Sequence, residues 1–164
     1  MYLVELNELI ENGENDTVEF KRKFSSPEKI AKEMIAFANS KGGKILFGID
    51  DDKTIRGVES EKGELELIST AAGFYCEPEV EFTTEIMLLK NKDIVVVNIE
   101  ESKTKPHRLI SADSIDENKV YVRLNDKSIL ASKETVKILR NSNHDSPPVQ
   151  IYIGDMEKSL FEFL

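Results

Sequence analysis

The sequence predicts one domain of the α/β class, in which amphipathic helices alternate with short apolar strands. Apolar residues recur every three to four positions over residues 30–38, the spacing of a helix that packs on a sheet. Period-two alternation at 17–21 and a continuous apolar run at 44–49 are typical of strands. The length of 164 residues, with 40% hydrophobic and 32% charged residues, fits a single globular domain.

The first two elements follow from their hydrophobic patterns. Residues 2–11 alternate Leu and Ile with Glu at helical spacing, which predicts an amphipathic helix. Residues 17–21 then predict a half-buried strand with its apolar side chains towards the core. Glu19 and Lys21 are therefore expected together on the other, exposed face of this strand.

The next helix has a strong start signal with two interpretations. Ser25 and Glu28 form a capping-box pattern, whereas Ser26 followed by Pro27 places the start one residue later. Both starts fit the sequence. The helix is expected to end near residue 40, where two glycines turn the chain into the apolar strand 44–49, predicted to be central in the sheet.

Weaker patterns define the rest of a domain that spans residues 1–140. Residues 141–149 have the composition of a linker. Residues 150–164 are expected to begin a following module or to form an arm between two copies, so self-association stays open. The predicted elements inside the domain are, in order, an acidic turn at 50–53, a helix at 61–73, strands at 79–90 and 93–100 joined as a hairpin, a loop at 103–114, a strand at 119–124 and a helix at 132–140.

Cysteine content and hydropathy bear on the compartment. The single cysteine, Cys76, excludes an internal disulfide and fits the reducing cytoplasm. No apolar run approaches the roughly eighteen residues of a membrane span. The acidic N-terminal stretch is unlike a signal or transit peptide. A cytoplasmic location without membrane contact is therefore predicted.

Charge is distributed unevenly along the chain. The net charge of −9 argues against a protein that coats nucleic acid through overall positive charge. Residues 20–56, however, carry nine Lys or Arg against five Asp or Glu. A basic face on an acidic body is therefore expected in this part of the chain.

A series of short motifs is similar to a known family, the Schlafen AlbA-like domain, over about residues 10–140. The block from Glu19 to Asp51 is the specific part, and Lys53 departs from the family, in which a glycine is common in the turn. The motifs are Glu14, five residues before Glu19-Phe20-Lys21, then AFANSKGG at 36–43, Gly48-Ile49-Asp50-Asp51, Ile55-Arg56-Gly57, Lys105-Pro106-His107, Tyr121-Val122-Arg123 and Ala131-Ser132.

This resemblance implies an α/β (α+β) fold with a mixed or antiparallel sheet flanked by helices, and a DNA-binding function. Prokaryotic members are often regulator-like, with a winged helix after this domain, which residues 150–164 would begin. Some animal Schlafen proteins are RNases that cut transfer RNA with two Glu and one Asp. The matching positions in this sequence are Glu14, Glu19 and Asp51.

Those three carboxylates are candidate catalytic residues and metal ligands. Metal-assisted phosphodiester cleavage needs clustered carboxylates that hold Mg²⁺ or Mn²⁺ and activate water. The convergence of Glu14, Glu19 and Asp51 rests on the resemblance. The alternative is that Glu14 and the acidic turn are solvated, and that Glu19 pairs with Lys21 or Arg123.

Six basic residues are candidate contacts for a phosphate backbone. Lys and Arg neutralise phosphates, and a Lys beside acidic ligands can hold a phosphate next to a metal. Without the resemblance, a solubilising surface would be the simpler interpretation. The candidates are Lys21, Arg22, Lys23, Lys41, Lys44 and Arg123.

Other binding chemistries find little support. The glycine turn lacks the P-loop glycine at Ala38 and the Ser or Thr at Ile45, so no nucleotide is expected. His107, in the predicted loop, is interpreted as a surface residue. The four Tyr and eight Phe are too scattered to predict a base-stacking platform.

The sequence therefore predicts a nucleic-acid-binding domain, for DNA or RNA, of a transcriptional-regulator-like protein. Two alternatives stay open. One is a divalent-metal-dependent endoribonuclease that uses Glu14, Glu19 and Asp51. The other is an interaction module with neither activity, which the net charge of −9 favours.

Overall fold

A computed structural model describes residues 1–110 and 119–143. No helix in these two ranges is both long enough and apolar enough to cross a membrane. The elements in these ranges are α1 (Leu3–Asn12), β1 (Val18–Lys21), α2 (Pro27–Asn39), β2 (Gly43–Phe47), α3 (Glu61–Phe74), β3 (Cys76–Glu77), β4 (Thr83–Leu89), β5 (Lys92–Ile99), β6 (Arg108–Leu109), β7 (Tyr121–Leu124), β8 (Lys127–Leu130) and α4 (Lys133–Asn141).

The central sheet has four strands in the order β1-β2-β5-β4. β1 runs parallel to β2, with Lys21 paired to Phe47, and β5 is antiparallel to both β2 and β4. The apolar β2 lies inside the sheet, as its continuous hydrophobic run predicts. The sheet is therefore mixed and accompanied by helices, which confirms the predicted α+β fold class.

Helices cover both faces of this sheet. Leu6 and Ile10 of α1 pack with Val18 and Phe20 on one face, while α2 and α3 pack on the other. Glu19, on the second face of β1, is consequently only 8% exposed. The expectation of an exposed strand face is wrong here because a helix layer lies over each side of the sheet.

Two small antiparallel pairs, β3–β6 and β7–β8, complete the strand structure of the described residues. β6 falls in the segment predicted to be a loop. The sequence pattern also misses β8, because this strand has four residues with exposed ends and no clear apolar alternation. The β7–β8 turn places Asn125 at a φ of 53°, a conformation that Asn tolerates better than most residues.

Ser26 sets the start of α2. Its Oγ accepts a hydrogen bond from the Lys29 amide at 3.3 Å, and Pro27 occupies the first turn. The structure thus selects the later of the two predicted starts. Ser25 precedes the cap and is exposed.

The β4–β5 hairpin turns at Lys90 and Asn91, whose φ angles are 51° and 60°. Two consecutive positive φ values are the requirement of a type I′ turn, which matches the twist of the flanking strands.

β4 begins at Thr83, later than predicted, because the preceding residues are tied to α3: the Val80 amide donates to the Ala72 carbonyl at 3.2 Å.

The described chain ends beside the Lys105 loop. α4 reaches Asn141, the first residue of the predicted linker. The Lys105 amide donates to Asn143 Oδ1 at 2.7 Å. Residues 144–164 lie outside the described ranges, and with them most of the predicted linker and all of the predicted C-terminal segment. The domain division there stays a prediction.

Candidate nucleic-acid interface

Arg123 of β7 joins β1 to α2 through two carboxylates. Its Nη2 lies 2.6 Å from Glu19 Oε2, and its Nη1 lies 2.9 Å from Glu33 Oε2. The Arg123 side chain is 1% exposed. A buried charge of this kind is tolerated only when partners surround it. This contact is the pairing that the sequence left open as the alternative role of Glu19.

The guanidinium of Arg123 has further partners at each of its nitrogens. Nε and Nη2 donate to the Asn15 carbonyl at 3.3 and 3.1 Å, and Nη1 donates to Ser128 Oγ at 3.2 Å. The Phe37 ring centroid lies 4.7 Å from Cζ, within cation–π distance. The burial and bonding of Arg123 therefore favour a role in positioning β1 and α2 over the predicted direct contact with phosphate.

Lys21 is the point at which this buried network reaches the surface. Its Nζ lies 3.5 Å from Glu19 Oε1 and 3.8 Å from Glu33 Oε1, and its side chain is 23% exposed. These distances exceed those of a strong hydrogen bond. Lys21 can therefore turn towards an external phosphate without leaving Glu19 unpaired, because Arg123 remains in place.

Burial raises the pKa of Glu19 to about 7, and the negative charge of the neighbouring Glu33 acts in the same direction. The hydrogen bond and positive charge of Arg123 oppose this shift, and Glu14 adds a smaller upward effect. A carboxyl group with this pKa is partly protonated at neutral pH. The charge of the network therefore changes within the physiological range.

Glu14 lies next to β1 and caps its outer edge. Its Oε1 accepts a hydrogen bond from the Phe20 amide at 2.9 Å. Along β1 the main-chain N–H and C=O groups point alternately towards β2 and away from it. Those of Glu19 and Lys21 point towards β2, so the N–H of Phe20 points away from the sheet. The structure thus places Glu14 beside the strand that carries Glu19. The Glu14 carboxylate is already bonded there to a main-chain amide.

Asp51 is exposed in the turn that follows β2. This turn lies beside the end of α1 that precedes Glu14, since Lys53 Nζ donates to the Glu11 carbonyl at 2.6 Å. The preceding Asp50 is bonded to Arg56, with Oδ2 2.7 Å from Nε. Across residues 1–110 and 119–143, no group of three or more His, Cys, Asp or Glu is arranged to hold a metal ion. In this arrangement Glu14, Glu19 and Asp51 do not fit Mg²⁺ or Mn²⁺, and their metal and catalytic roles stay a prediction.

Two of the predicted phosphate contacts lie at the opposite end of the β1–β2 pair. Val18 pairs with Lys44 at the start of the two strands, whereas Lys21 pairs with Phe47 at their end. Lys44 Nζ donates to Asn98 Oδ1. Lys41 Nζ lies 2.6 Å from Asp16 Oδ2. The six predicted basic residues therefore do not form one cluster.

A basic surface forms where β1 leads into α2. Arg22 and Lys23 are exposed directly after the strand, and Lys29 is exposed on the first turn of α2. Lys32 Nζ lies 5.1 Å from the centroid of the Tyr121 ring. Sequence reasoning missed Lys29 and Lys32, although their spacing of three on a capped helix places them on one side. The name basic surface is used below for Lys21, Arg22, Lys23, Lys29 and Lys32.

Asn39, at the end of α2, ties this helix to two distant segments. Its Oδ1 accepts from the His107 amide at 2.8 Å, and its Nδ2 donates to the carbonyls of His107 and Tyr121, both at 2.9 Å. The next residue, Ser40, accepts the Arg123 amide at 2.9 Å through Oγ. The AFANSKGG motif therefore has an architectural role that its composition did not reveal.

His107 is buried, with 2% exposure, so its interpretation as a surface residue is wrong. Its Nδ1 lies 2.7 Å from the Pro78 carbonyl oxygen and its Nε2 lies 2.6 Å from Ser102 Oγ. Burial lowers the pKa of the imidazole. A neutral ring that donates from Nδ1 and accepts at Nε2 satisfies both partners. The side chain thus holds two loops together.

Fold and site together define an α+β domain in which a buried carboxylate–guanidinium network lies beneath a basic surface. A family model described as Schlafen, AlbA_2 matches residues 14–132. This range includes β1, β2 and the strand that carries Arg123. The chain belongs to the Schlafen AlbA_2 family, which confirms the resemblance seen in its motifs.

Solved structures of other proteins share this fold, among them the following two. The DIP2311 protein from Corynebacterium diphtheriae matches with a TM-score of 0.56 and 14% identity, over 79% of this chain and 29% of its own length. The N-terminal domain of a putative ATP-dependent DNA helicase RecG-related protein from Nitrosomonas europaea matches with a TM-score of 0.54 and 18% identity, over 80% of this chain and 92% of that domain. At these identities the likeness shows the fold alone.

Proposed function

We propose that this domain binds nucleic acid by its phosphate backbone, through the basic surface. The observation that carries the proposal is that Arg22, Lys23 and Lys29 are exposed and that none of them forms a close ion pair within the two described ranges, although the charge of Lys23 is near enough to Glu64 to act on its pKa. Such cations neutralise phosphates and release condensed counterions without first losing a protein partner.

The buried network supports this function by fixing the strand from which the surface emerges. Arg123 holds Glu19 on β1 and Glu33 on α2, the two elements that flank Arg22 and Lys23. Cations on a rigid scaffold lose less conformational freedom on binding than cations on a mobile loop. Arg123 therefore acts as a positioning residue in this proposal.

We further propose that the natural ligand is DNA and that the protein is a cytoplasmic, transcriptional-regulator-like protein. The family relationship supports nucleic-acid interaction in general, and one structural neighbour is described as related to a DNA helicase. A regulator should show sequence preference. Selection from a randomised duplex library tests this, and enrichment of no motif would contradict the regulator role while leaving backbone binding intact.

Fluorescence anisotropy with labelled duplex DNA, single-stranded DNA and RNA tests the backbone proposal. Affinity should fall steeply as salt is raised from about 50 to 200 mM, as expected for counterion release. The triple variant Arg22→Ala, Lys23→Ala, Lys29→Ala removes three contacts. The slope of log K against log salt should therefore become shallower by roughly two to three units on duplex DNA.

The matched control for charge is the triple variant Lys103→Ala, Lys133→Ala, Lys137→Ala, which removes three exposed lysines elsewhere. It should keep the parental slope. Equal effects of the two triple variants would show that only net charge matters. Absence of binding to every nucleic acid at low salt would leave the interaction module as the function.

The endoribonuclease is a second candidate, which one observation favours: Glu14 bonds to the main chain of β1 at Phe20, directly next to Glu19. A metal would bind there only after a rearrangement that brings Asp51 to these two carboxylates. The endoribonuclease candidate predicts cleavage of transfer RNA or single-stranded RNA with Mn²⁺ present, abolished by Asp51→Asn. Asp51 is exposed, so this change should leave the fold intact. Cleavage that survives Asp51→Asn would reject the triad as the active site.

A further inference from the structure

The outer edge of β4 is open in the described part of the chain. β4 pairs with β5 on one side only, since the sheet ends with it. No main-chain group of Thr83–Leu89 bonds to another described residue outside that pairing. Unpaired N–H and C=O groups along a straight strand are a template for one more strand.

The opposite edge of the same sheet is closed by two side chains and one main-chain amide. On β1, the outward N–H of Phe20 bonds to Glu14, and the Val18 carbonyl accepts from the Asn15 amide at 3.0 Å and from Arg123 at 3.3 Å. β4 has none of these protections. It contains no proline, and its one charged residue, Glu85, is engaged by Asn98 at 3.1 Å and by the amino group of Met1.

The open edge also carries exposed apolar side chains. Ile86 is 47% exposed and Leu88 is 59% exposed. Their spacing of two residues puts both on one face of the sheet, next to each other along the edge. An added strand with apolar residues at matching positions would cover them.

We propose that the partner is a second copy of this chain, and that the two β4 strands pair antiparallel about a two-fold axis at Ile86. In this register Ile86 faces Ile86 of the second copy, and Leu88 faces Thr84. Glu85 faces Met87, so no like charges meet across the pair. The proposal does not depend on nucleic-acid binding.

Charge at the two ends of β4 specifies this antiparallel orientation. Glu81 precedes the strand and Lys90 follows it, and both are exposed. Antiparallel pairing brings the acidic end of one strand beside the basic end of the other, whereas parallel pairing would place like charges together. Across the two-fold axis Lys90 lies opposite Phe82, and therefore next to Glu81, of the second copy.

Sedimentation of the full chain over a range of concentrations tests the association. We expect a monomer–dimer equilibrium that Ile86→Lys shifts to monomer, because two ammonium groups would then meet at the axis. The control is Leu130→Lys, which likewise puts a lysine in place of an exposed apolar residue, on β8 (56% exposed), and should leave the equilibrium unchanged. If the full chain is monomeric at every concentration tested, the proposal is wrong. The partner of the β4 edge would then have to be residues 144–164 or a strand of another protein.

Disulfide cross-linking tests the register. Directly opposed residues of antiparallel strands have Cα atoms about 4.5–5.5 Å apart, within the range of a disulfide. With diamide as oxidant, Ile86→Cys should cross-link the two copies, and Leu88→Cys alone should not. The native Cys76 is 2% exposed and should give little background. Equal cross-linking by the two variants would show random collision and reject the two-fold register.

Discussion

Arg123 on β7 and Glu19 on β1 are 104 residues apart in the chain, yet Nη2 and Oε2 lie 2.6 Å from each other in the interior. The contact couples a hairpin late in the chain to the strand from which the basic surface emerges. Because both groups are withdrawn from water, each compensates the charge of the other. Removing either side chain should therefore lower the free energy of unfolding more than it weakens nucleic-acid binding.

Replacing Arg123 with methionine should strongly destabilise the protein. The change leaves Glu19 and Glu33 with only Lys21 as a cation, at the longer distances of 3.5 and 3.8 Å. Breaking a buried ion pair in this way costs about 3–5 kcal/mol. Urea denaturation measures the free energy of unfolding. Arg56→Met, which removes an arginine paired with Asp50 at the surface, should leave the midpoint nearly unchanged.

The double variant Arg123→Met, Glu19→Gln shows whether an uncompensated carboxylate is the cause. It should be more stable than Arg123→Met alone, since the amide introduced by Glu19→Gln carries no charge to bury. If the second change gives no recovery, the loss comes from the packing of the arginine side chain instead.

The stability of the protein should depend on pH through Glu19. Its folded-state pKa of about 7 lies above the ordinary value of 4.5. Between these two values the folded state holds the proton more tightly than the unfolded state does. The stabilising contribution of Glu19 is therefore complete below pH 4.5 and is lost as pH rises through 7.

Thermal unfolding of the parent and of Glu19→Gln across this pH window tests the dependence. The glutamine side chain cannot titrate, so the difference in Tm between the two proteins should move in favour of the variant as pH rises. A constant difference from about pH 5 to 8 would show that Glu19 has an ordinary pKa.

Asn39→Ala should destabilise the junction of α2 with the His107 loop and β7. The change removes three hydrogen bonds and leaves buried main-chain groups of His107 without partners. The combined loss should be about 3 kcal/mol in the free energy of unfolding. Asn7→Ala, on the exposed side of α1, is the matched control and should be close to neutral.

The two serines before α2 should differ in their effect on stability. Ser26→Ala removes the side-chain oxygen that accepts the Lys29 amide, and loss of an N-cap costs about 1 kcal/mol. Ser25→Ala should change the free energy of unfolding much less, because this residue lies outside the cap. A larger effect of Ser25→Ala would favour the capping box that the sequence also allowed.

Local signals predicted most of the architecture. The helices, the strands β1 and β2 and the β4–β5 hairpin follow from periodicity, caps and turn residues, all of which act over a few positions. β8 escaped prediction because it is short, and its stability depends on packing against β7 and α2. Lys53 stands where the resemblance leads one to expect a glycine, and its φ of 71° lies in the region that glycine adopts most readily.

The site was less predictable because its chemistry depends on long-range contacts. Glu19 and Arg123 were both singled out, but their shared burial requires α2 and β7 to close over β1. Glu33 had no signal of its own, since an acid on a helix usually faces water. Sequence could propose Glu19 as a ligand or as half of an ion pair with Lys21 or Arg123. The three-dimensional arrangement places both cations at Glu19 and adds Glu33 as a second carboxylate.

The unequal edges of the central sheet limit how large an assembly can become. If the β4 edge joins two copies, each outer end of the combined sheet is a β1 strand whose Phe20 amide is already bonded to Glu14. Another chain would find no free template there, so association stops at two and the sheet cannot extend into a fibre. In such a dimer Glu14, together with the bonds of Asn15 and Arg123 to the Val18 carbonyl, would oppose polymerisation, and Glu14→Ala should be examined for aggregates as well as for activity.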